Sequence, residues 1–389
     1  MKYWRGYLVA AITASIAWAF VQFADGHGVL VDMIYPYVSR MFTSSLADWT
    51  GSMSFCLWQV LLIGLIVAGL ASIVLMIVLR WNFVQWFGWV CATVSCVFML
   101  NTIVYELNAY ASPLADDIRL EITDYTVSEL NEATVYFRDQ ANTLAQTVTR
   151  DKDGDPDFGS FEELAVQAGE GYEALTYDQA ISVFAGSTAP VKKLGWSGLY
   201  GRTSGVTVAL TGEAAVNPHV PVAVLPYAMC VEMAHRMCIY SEADADFAAF
   251  LAGISNSSEA FQYSAYLMAY RYCYDALASI PTSTAQACAT QTDSGVNDLL
   301  RHDLQAYTKF FGKGSASSAT RTASGSDSTA ATDGEEVPLI TFSSYSNVTD
   351  LLASWYIQNY IVPLHQEEEE PFDPLDATQV DLTGIVGAQ

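Results

Sequence analysis

Residues 57–79 read LWQVLLIGLIVAGLASIVLMIVL, an apolar run without a charged side chain. A helix needs about 20 such residues to cross the hydrocarbon core of a bilayer. Two further runs, residues 6–24 and 82–105, are also uncharged and long enough. The sequence therefore predicts three N-terminal transmembrane helices, near residues 6–24, 57–79 and 82–105.

The charges of the chain divide at residue 105. The 389 residues include 17 basic and 42 acidic side chains, a net charge of −25, but only four basic and three acidic residues precede residue 106. We predict a transmembrane anchor over 1–105, an external domain over 106–361 and an acidic disordered tail over 362–389. This acidity argues against nucleic-acid binding, and no glycine-rich phosphate motif supports nucleotide binding.

Basic residues near the apolar runs predict the orientation of the chain. Lys2 and Arg5 precede the first run, and Arg80 lies between the second and third. The positive-inside rule places these residues in the cytoplasm. The prediction is a multi-pass protein of the cell membrane with a large extracytoplasmic domain. Cleavage of the first run as a signal peptide would leave that domain on the same side. Residues 25–55 would form an external loop that either contacts the membrane or the domain or is a simple connector.

Helical patterns dominate the external part. Thr126 and Glu129 have the spacing of a capping box before a helix that ends near Arg150. Residues 227–252, 259–280 and 349–361 also read as helices, and residues 205–210 alternate as in a strand. We therefore predict a mainly α fold with a small β element. Residues 313–337, rich in Ser, Ala, Thr, Gly and Asp, read as a flexible insertion.

An acidic segment after residue 150 partly matches a calcium-binding loop. Its carboxylates occupy positions 1, 3, 5, 7 and 12 of the EF-hand pattern, as Asp151, Asp153, Asp155, Asp157 and Glu162. The sixth position needs a glycine for its sharp turn, but it is Pro156 here, and proline cannot adopt a positive φ. A solvated acidic turn is therefore favoured over a calcium site.

The segment 226–247 contains the candidate catalytic and metal-binding residues. Glu232 and His235 have the spacing of the glutamate and second histidine of a His-Glu-x-x-His zinc helix, in which the glutamate polarises the attacking water. The first histidine position is Val231. Glu242 follows seven residues after His235, and Asp246 lies four residues further on. This arrangement looks like the third-ligand helix of membrane-associated zinc peptidases, in which the later residue orients a ligand histidine.

The chain as a whole resembles a bacterial membrane family, the domain-of-unknown-function family 3810, whose members look like zinc metallopeptidases. The resemblance extends in order over most of residues 30–360. It rests on Tyr35-Pro36, 107–114, Val191-Lys192, Ser197, Gly201, 211–217, 226–247, 263–266 and 344–351. It implies a zincin-like, mostly helical external domain with a zinc site at His235 and Glu242 and with Glu232 as general base. Thr211, Glu213 and Asn217, which follow the strand, become candidates for a substrate groove.

The chain also departs from this family. Val231 replaces the first zinc-binding histidine, Cys238 a glycine and Asp246 an asparagine. Catalytic zinc normally has three protein ligands and a water molecule, so His235 and Glu242 form an incomplete set. Asp244 or His219 are the candidate substitutes.

Three functions therefore stay open. The first is a metallopeptidase-like pseudoenzyme, with Glu232 as a vestigial general base, that binds peptides or membrane and envelope proteins outside the cytoplasm. The second is an active zinc peptidase with a non-standard ligand set. The third is a structural cell-surface scaffold. In each case the lipid bilayer is a partner. Zinc binding is possible, but the missing first histidine makes it doubtful.

Overall fold

The computed structural model describes residues 4–312, 339–340 and 347–363. Within these ranges the protein is mainly helical with a small three-stranded sheet, as predicted. The helices are α1 (Arg5–Gly26), α2 (Gly28–Gly51), α3 (Leu57–Val78), α4 (Phe83–Val104), α5 (Leu114–Ile118), α6 (Val127–Thr147), α7 (Phe161–Tyr177), α8 (Leu225–Arg236), α9 (Glu242–Ser255), α10 (Glu259–Ser279), α11 (Ser283–Ser294), α12 (Asp298–Phe311) and α13 (Val348–Tyr356). The strands are β1 (Tyr125–Thr126), β2 (Lys192–Lys193), β3 (Gly205–Val208), β4 (Glu213–Val216) and β5 (Leu339–Ile340).

Helices α1, α3 and α4 are long and apolar enough to cross a membrane. Their bounds agree with the three predicted spans to within two residues. Helices α1 and α4 pack closely because Gly6 and Gly88 face each other, where any Cβ atom on Gly6 would collide with the backbone of Gly88. Thr13 and Ser95 add a hydroxyl–hydroxyl hydrogen bond of 2.7 Å between the same helices. Small and hydroxyl-bearing residues at such contacts are typical of helix association in lipid.

The predicted loop at residues 25–55 is instead largely helix α2, and this part of the prediction was wrong. The helix contains Pro36 and packs against the domain, which was one of the three roles left open for the segment. The Arg40 guanidinium donates to the carbonyl oxygens of Met237 and Ser182 at 3.2 and 2.9 Å. The Thr43 hydroxyl donates to the carbonyl oxygen of Arg236 at 3.0 Å. Helix α2 therefore holds the end of α8.

The three-stranded sheet has the order β2-β4-β3 and covers α8. Strand β3 covers the first four residues of the predicted strand and pairs antiparallel with β4, with Val206 opposite Ala215, while β2 pairs parallel with β4. Strands β1 and β5 form a separate antiparallel pair. Strand β3 is thus at an edge of the sheet, and among the described residues it has β4 as its strand partner.

The predicted capping box begins α6. The backbone N–H of Glu129 donates to the Thr126 hydroxyl at 3.1 Å, and the Thr126 N–H donates to the Glu129 carboxylate at 2.7 Å. Helix α10 matches the prediction for 259–280. The predicted helix 227–252 is two helices, α8 and α9, because the chain turns at Cys238 with a φ of +68°. The predicted helix at 349–361 is α13 followed by one π-helical turn.

The interior of the domain is built on α6, α8, α9 and α10. Its fully buried side chains include Phe137, Phe247, Phe250 and Tyr263, and Phe137 and Phe250 make an edge contact with ring centroids 5.6 Å apart. Burial of aromatic side chains of this size is a large favourable term in folding. The predicted flexible insertion and the predicted tail, except for residues 362 and 363, lie outside the described residues.

Candidate functional site at the junction of helices α8 and α9

The turn between α8 and α9 brings His235 and Glu242 together. The Nε2 atom of His235 lies 3.6 Å from a carboxylate oxygen of Glu242. The Nδ1 atom donates to the Ile239 carbonyl oxygen at 3.0 Å, which fixes the ring and directs Nε2 toward the carboxylate. Burial opposes the charged imidazolium, but the carboxylates of Glu242 and Glu232 outweigh this effect and raise the pKa of His235. The two predicted zinc ligands are therefore adjacent and form a weak ion pair.

Glu232 lies beneath strand β3 with only 5% of its surface exposed. The Thr207 hydroxyl lies 2.6 Å from the Glu232 carboxylate and 2.9 Å from the Glu232 carbonyl oxygen. A Cβ atom on Gly205 would lie 2.5 Å from the Glu232 side chain, so a glycine at this position leaves room for the carboxylate. Burial raises the pKa of Glu232 to about 7. Burial therefore favours the protonated form of this carboxyl group more than in a solvated glutamate.

Asp246 has tyrosine partners. Its two carboxylate oxygens accept hydrogen bonds from the hydroxyl groups of Tyr227 and Tyr272, at 3.1 and 3.0 Å. Burial raises the pKa of Asp246 to about 7. Tyr227 precedes Val231 by one helical turn on α8, so it lies on the same side of the helix as the missing ligand position. The family resemblance implies that Asp246 orients a zinc-binding histidine. In this chain its carboxylate is hydrogen-bonded to two tyrosine hydroxyls instead.

The donor set around His235 does not make a complete zinc site. Within the described ranges, no third histidine, cysteine or carboxylate joins His235 and Glu242 in a group with all ligand atoms within 4.8 Å of one another. Val231 has no donor atom, and His219 is exposed on its loop. Asp244 is buried and lines a cavity that contains neither His235 nor Glu242. Zinc needs three protein ligands for catalysis, so the residues present do not fit it.

A different group of donors does come together elsewhere in the described part of the chain. Ligand atoms of Asp155, His302 and Asp303 lie within 4.8 Å of one another. The Arg150 guanidinium donates to both oxygens of Asp303, at 3.1 and 2.8 Å, and the Tyr263 hydroxyl donates to the same carboxylate. The guanidinium already provides Asp303 with the positive charge that a metal would supply, so the buried member of this group is the Arg150–Asp303 ion pair, while Asp155 and His302 are partly exposed.

The acidic segment after residue 150 forms a compact turn. One oxygen of Asp151 accepts from the backbone N–H groups of Asp153 and Asp155, at 2.9 and 3.0 Å. The Asp157 side chain accepts from a backbone N–H two residues later. Glu162 lies in the first turn of α7 and pairs with Lys193 at 2.7 Å. The carboxylate at the twelfth position of the pattern is therefore directed to a lysine ammonium.

The three groove candidates are all buried, at 7% exposure for Thr211 and 1% each for Glu213 and Asn217. The backbone oxygen of Thr211 accepts from Thr50 of α2. The Asn217 side chain donates to the Thr203 carbonyl oxygen and accepts from a neighbouring backbone N–H within its own loop. The structure therefore places Thr211 in a contact between the domain and helix α2 and Asn217 in a loop contact.

Glu213 anchors the membrane helix α3. One carboxylate oxygen accepts from the Leu57 N–H at 2.7 Å and the other from the Trp58 N–H at 2.8 Å. These N–H groups begin α3 and have no partner within the helix. The Lys192 ammonium lies 2.7 Å from the same carboxylate and also donates to the carbonyl oxygens of Thr50 and Phe55. We call this contact between Glu213, Lys192 and the start of α3 the α3 joint. The sequence feature that could have indicated it is a lysine and a glutamate that each lie within an apolar segment.

Comparisons with known proteins identify the chain at the level of a family. No curated protein matches it, and no solved structure matches it. A family model matches residues 31–324, about three quarters of the chain, beginning within α2 and including the membrane helices α3 and α4, the sheet and the α8–α9 site. The chain therefore belongs to the family described as protein of unknown function DUF3810.

Proposed function

We propose that this protein is a membrane-anchored, metallopeptidase-like pseudoenzyme that binds an extended segment of a partner protein outside the cytoplasm. The observation that carries the proposal is the position of edge strand β3 directly over Glu232, at a helix whose first ligand position is Val231. This arrangement supports a site that keeps a peptide-facing strand beside the glutamate but has an incomplete set of metal ligands.

Strand β3 has the geometry to add a peptide strand. The Asn217 N–H donates to the Ser204 carbonyl oxygen, and hydrogen-bonded pairs alternate along an antiparallel ladder. The polar backbone groups of Val206 therefore face β4, and those of Gly205 and Thr207 face away from it. Among the described residues no strand covers that side. An extended segment can bind there through backbone hydrogen bonds, with pockets for alternate side chains providing specificity.

Loss of metal is supported by two positions on α8 and α9. Val231 removes one ligand, and the carboxylate of Asp246, which would orient a histidine there, is hydrogen-bonded to Tyr227 and Tyr272. Without metal, Glu232 has no activated water molecule, and its carboxylate accepts a hydrogen bond from the Thr207 hydroxyl. Binding is then the activity that the site retains.

Metal analysis of the full chain in detergent tests the loss of catalysis. After purification in zinc-containing buffer, we expect less than stoichiometric zinc and no hydrolysis of a fluorogenic peptide library. Val231→His restores a third ligand and should bind about one zinc per chain, whereas the matched variant Val231→Leu should not. Addition of Tyr272→Phe should tighten zinc binding further by releasing Asp246. One zinc per wild-type chain with peptide hydrolysis would instead establish the active peptidase.

Peptide binding is tested at Thr207. We expect the full chain to bind a subset of a random decapeptide array, and Thr207→Pro to abolish that binding because proline lacks the outward-facing N–H. Thr207→Val is the matched control, since it also loses the hydroxyl but keeps the N–H and should retain binding. Equal binding by the two variants would contradict strand addition. No binding by the wild type would favour the scaffold function.

A further inference from the structure

The loop between strands β2 and β3, residues 194–204, lies against the first turn of helix α3. The Gln59 side-chain amide donates to the Gly195 carbonyl oxygen at 2.8 Å, and the Gly195 N–H donates back to the Gln59 Oε1 atom at 3.1 Å. The same amide donates to the Tyr200 hydroxyl at 3.3 Å, and the Tyr200 ring makes an edge contact with Trp58. Two points of the β2–β3 loop are therefore fixed to the start of α3.

This contact sets the level of the β2–β3 loop relative to a bilayer. Helix α3 has 22 residues, so its length is about 33 Å at 1.5 Å per residue, close to the thickness of the hydrocarbon core, about 30 Å. The first turn of α3 then lies at the boundary between hydrocarbon and headgroups, a zone about 5–7 Å deep on each side of the bilayer. Because Gln59 is the third residue of α3, the loop that is bonded to it lies in this zone.

The β2–β3 loop exposes two large apolar side chains. Trp196 is 59% exposed and Leu199 is 84% exposed, whereas Leu194 and Ser197 of the same loop are buried. Trp196 also has a φ of +48°, a conformation that a bulky residue rarely adopts. The tryptophan ring is favoured at the boundary between membrane and water, and an exposed leucine side chain gains free energy when it leaves water. A bilayer at the level of this loop would cover both side chains.

The charge of this region differs from that of the rest of the chain. Residues 179–212 contain three basic and no acidic side chains, although 42 of the 389 residues are acidic. Two of the three, Lys192 and Lys193, already pair with glutamates. The third, Arg202, is exposed, donates to the Phe311 carbonyl oxygen at 3.2 Å and forms no ion pair within the described part of the chain. An anionic membrane surface therefore meets no carboxylate of this segment and meets one available guanidinium.

The turn at the other end of β3 also reaches the membrane helices. Leu210, which lies between β3 and β4, lines a groove of about 1260 Å³ between α3 and α4. The groove is otherwise lined by residues of these two helices and their connection, such as Leu65 and Val97. Each end of β3 therefore continues into a segment that lies against a membrane helix, so this part of the sheet lies close to the bilayer.

We propose that the β2–β3 loop inserts Trp196 and Leu199 into the headgroup boundary of the bilayer, with Arg202 beside the phosphate groups of anionic lipids. The loop then attaches the sheet to the membrane surface in addition to the three membrane helices, by the same combination of apolar burial and charge attraction that holds interfacial segments. The inference does not rest on the proposed peptide binding, because it concerns residues outside β3.

Hydroxyl-radical footprinting of the full chain in nanodiscs tests this contact, because the oxidation rate of a side chain follows its exposure to water. The nanodiscs contain phosphatidylcholine with about 30% phosphatidylglycerol as the anionic lipid. Rates are measured by mass spectrometry and normalised to those of the unfolded chain. Tyr177, which is 80% exposed at the end of α7, is the internal reference. We expect Trp196 and Leu199 to be oxidised about fivefold more slowly than Tyr177, whereas rates in proportion to the exposed fractions would overturn the proposal.

Leu199→Asp provides the variant, because a charge at this exposed position opposes insertion into lipid. We expect the oxidation of Trp196 in this variant to rise about threefold above the wild-type rate in the same nanodiscs, whereas the matched variant Leu199→Ile should keep the protection. Unchanged protection of Trp196 in Leu199→Asp, or an equal rise in both variants, would contradict insertion. Arg202→Gln should reduce the protection only when phosphatidylglycerol is present, and an equal reduction in pure phosphatidylcholine would overturn the role of Arg202.

Discussion

The ion pair between Glu213 and Lys192 should hold the domain that follows α4 to helix α3. The two side chains are 0% and 8% exposed, and Glu213 also accepts from the first N–H groups of α3. Removing one member of a buried pair typically costs about 3–5 kcal/mol because the other charge is left unpaired. We therefore expect Glu213→Leu and Lys192→Met each to destabilise the joint by about that amount. The double variant should lose less than the sum, by about 1–3 kcal/mol.

Cys56 reports on this joint directly. It precedes α3, is 4% exposed, and its thiol donates to the Lys193 carbonyl oxygen at 3.3 Å. Burial, followed by the negative charge of Glu213, raises the pKa of Cys56 to about 11, so its alkylation should be slow in the wild type. A destabilisation of about 3 kcal/mol should raise the alkylation rate about a hundredfold. The rate is measured by mass spectrometry of peptides after timed maleimide quenching.

Cys230 serves as an internal control in the same sample. It is fully buried within α8, so its alkylation rate should change little if the joint opens locally. An unchanged rate at Cys56 in Glu213→Leu would refute the anchoring role of the pair. Equal acceleration at both cysteines would show global unfolding and would equally contradict a local joint.

Three further predictions concern the stability of the protein. The pKa of Glu232 is about 7 in the folded protein and about 4.3 in the unfolded chain. Its contribution to the free energy of unfolding is therefore complete below pH 4.3 and is lost as pH rises through 7. The total loss is about 3–4 kcal/mol. Glu232→Gln should remove that pH dependence in urea denaturation at pH 5 and pH 8. Gly205→Ala should destabilise the domain by about 1–3 kcal/mol through collision with Glu232, whereas Gly198→Ala, with no atom within 4 Å of the added carbon, should change the denaturation midpoint little. Gly6→Ala should separate α1 from α4 and lower the melting temperature in detergent, and Gly64→Ala on α3, which also meets no atom, should leave it unchanged.

The membrane helices could be predicted from sequence because hydropathy and length alone define them. Their observed bounds, such as Leu57–Val78, agree closely with the apolar runs. The capping box at Thr126 was also predictable, since both of its hydrogen bonds join residues three positions apart. The pairing of His235 with Glu242 followed from motif spacing, although the turn at Cys238 did not. These features depend either on residues close together in the chain or, for the apolar helices, on hydropathy alone.

Other features depend on contacts between distant residues. Glu213 is 156 residues from Leu57 in the chain, and the alternation of a strand does not show which group a buried carboxylate binds. Helix α2 was missed for a related reason. Its Arg40 is stabilised by carbonyl oxygens of the domain, so the helix face that carries it has no apolar pattern. The tyrosine partners of Asp246 likewise come from separate helices.

The attachment of α2 to the end of α8 also fixes the distance between the α8–α9 site and the end of α4. Thr43 binds the Arg236 carbonyl oxygen, and Ser39 of the same helix binds the Val104 carbonyl oxygen at the end of α4. The α8–α9 site is therefore held by α2 close to the end of α4, one of the three helices apolar enough to cross a membrane. If β3 binds a segment of a membrane protein as proposed, that segment must extend from its own span to this position, so the length of the partner's juxtamembrane region would contribute to its selection together with its sequence.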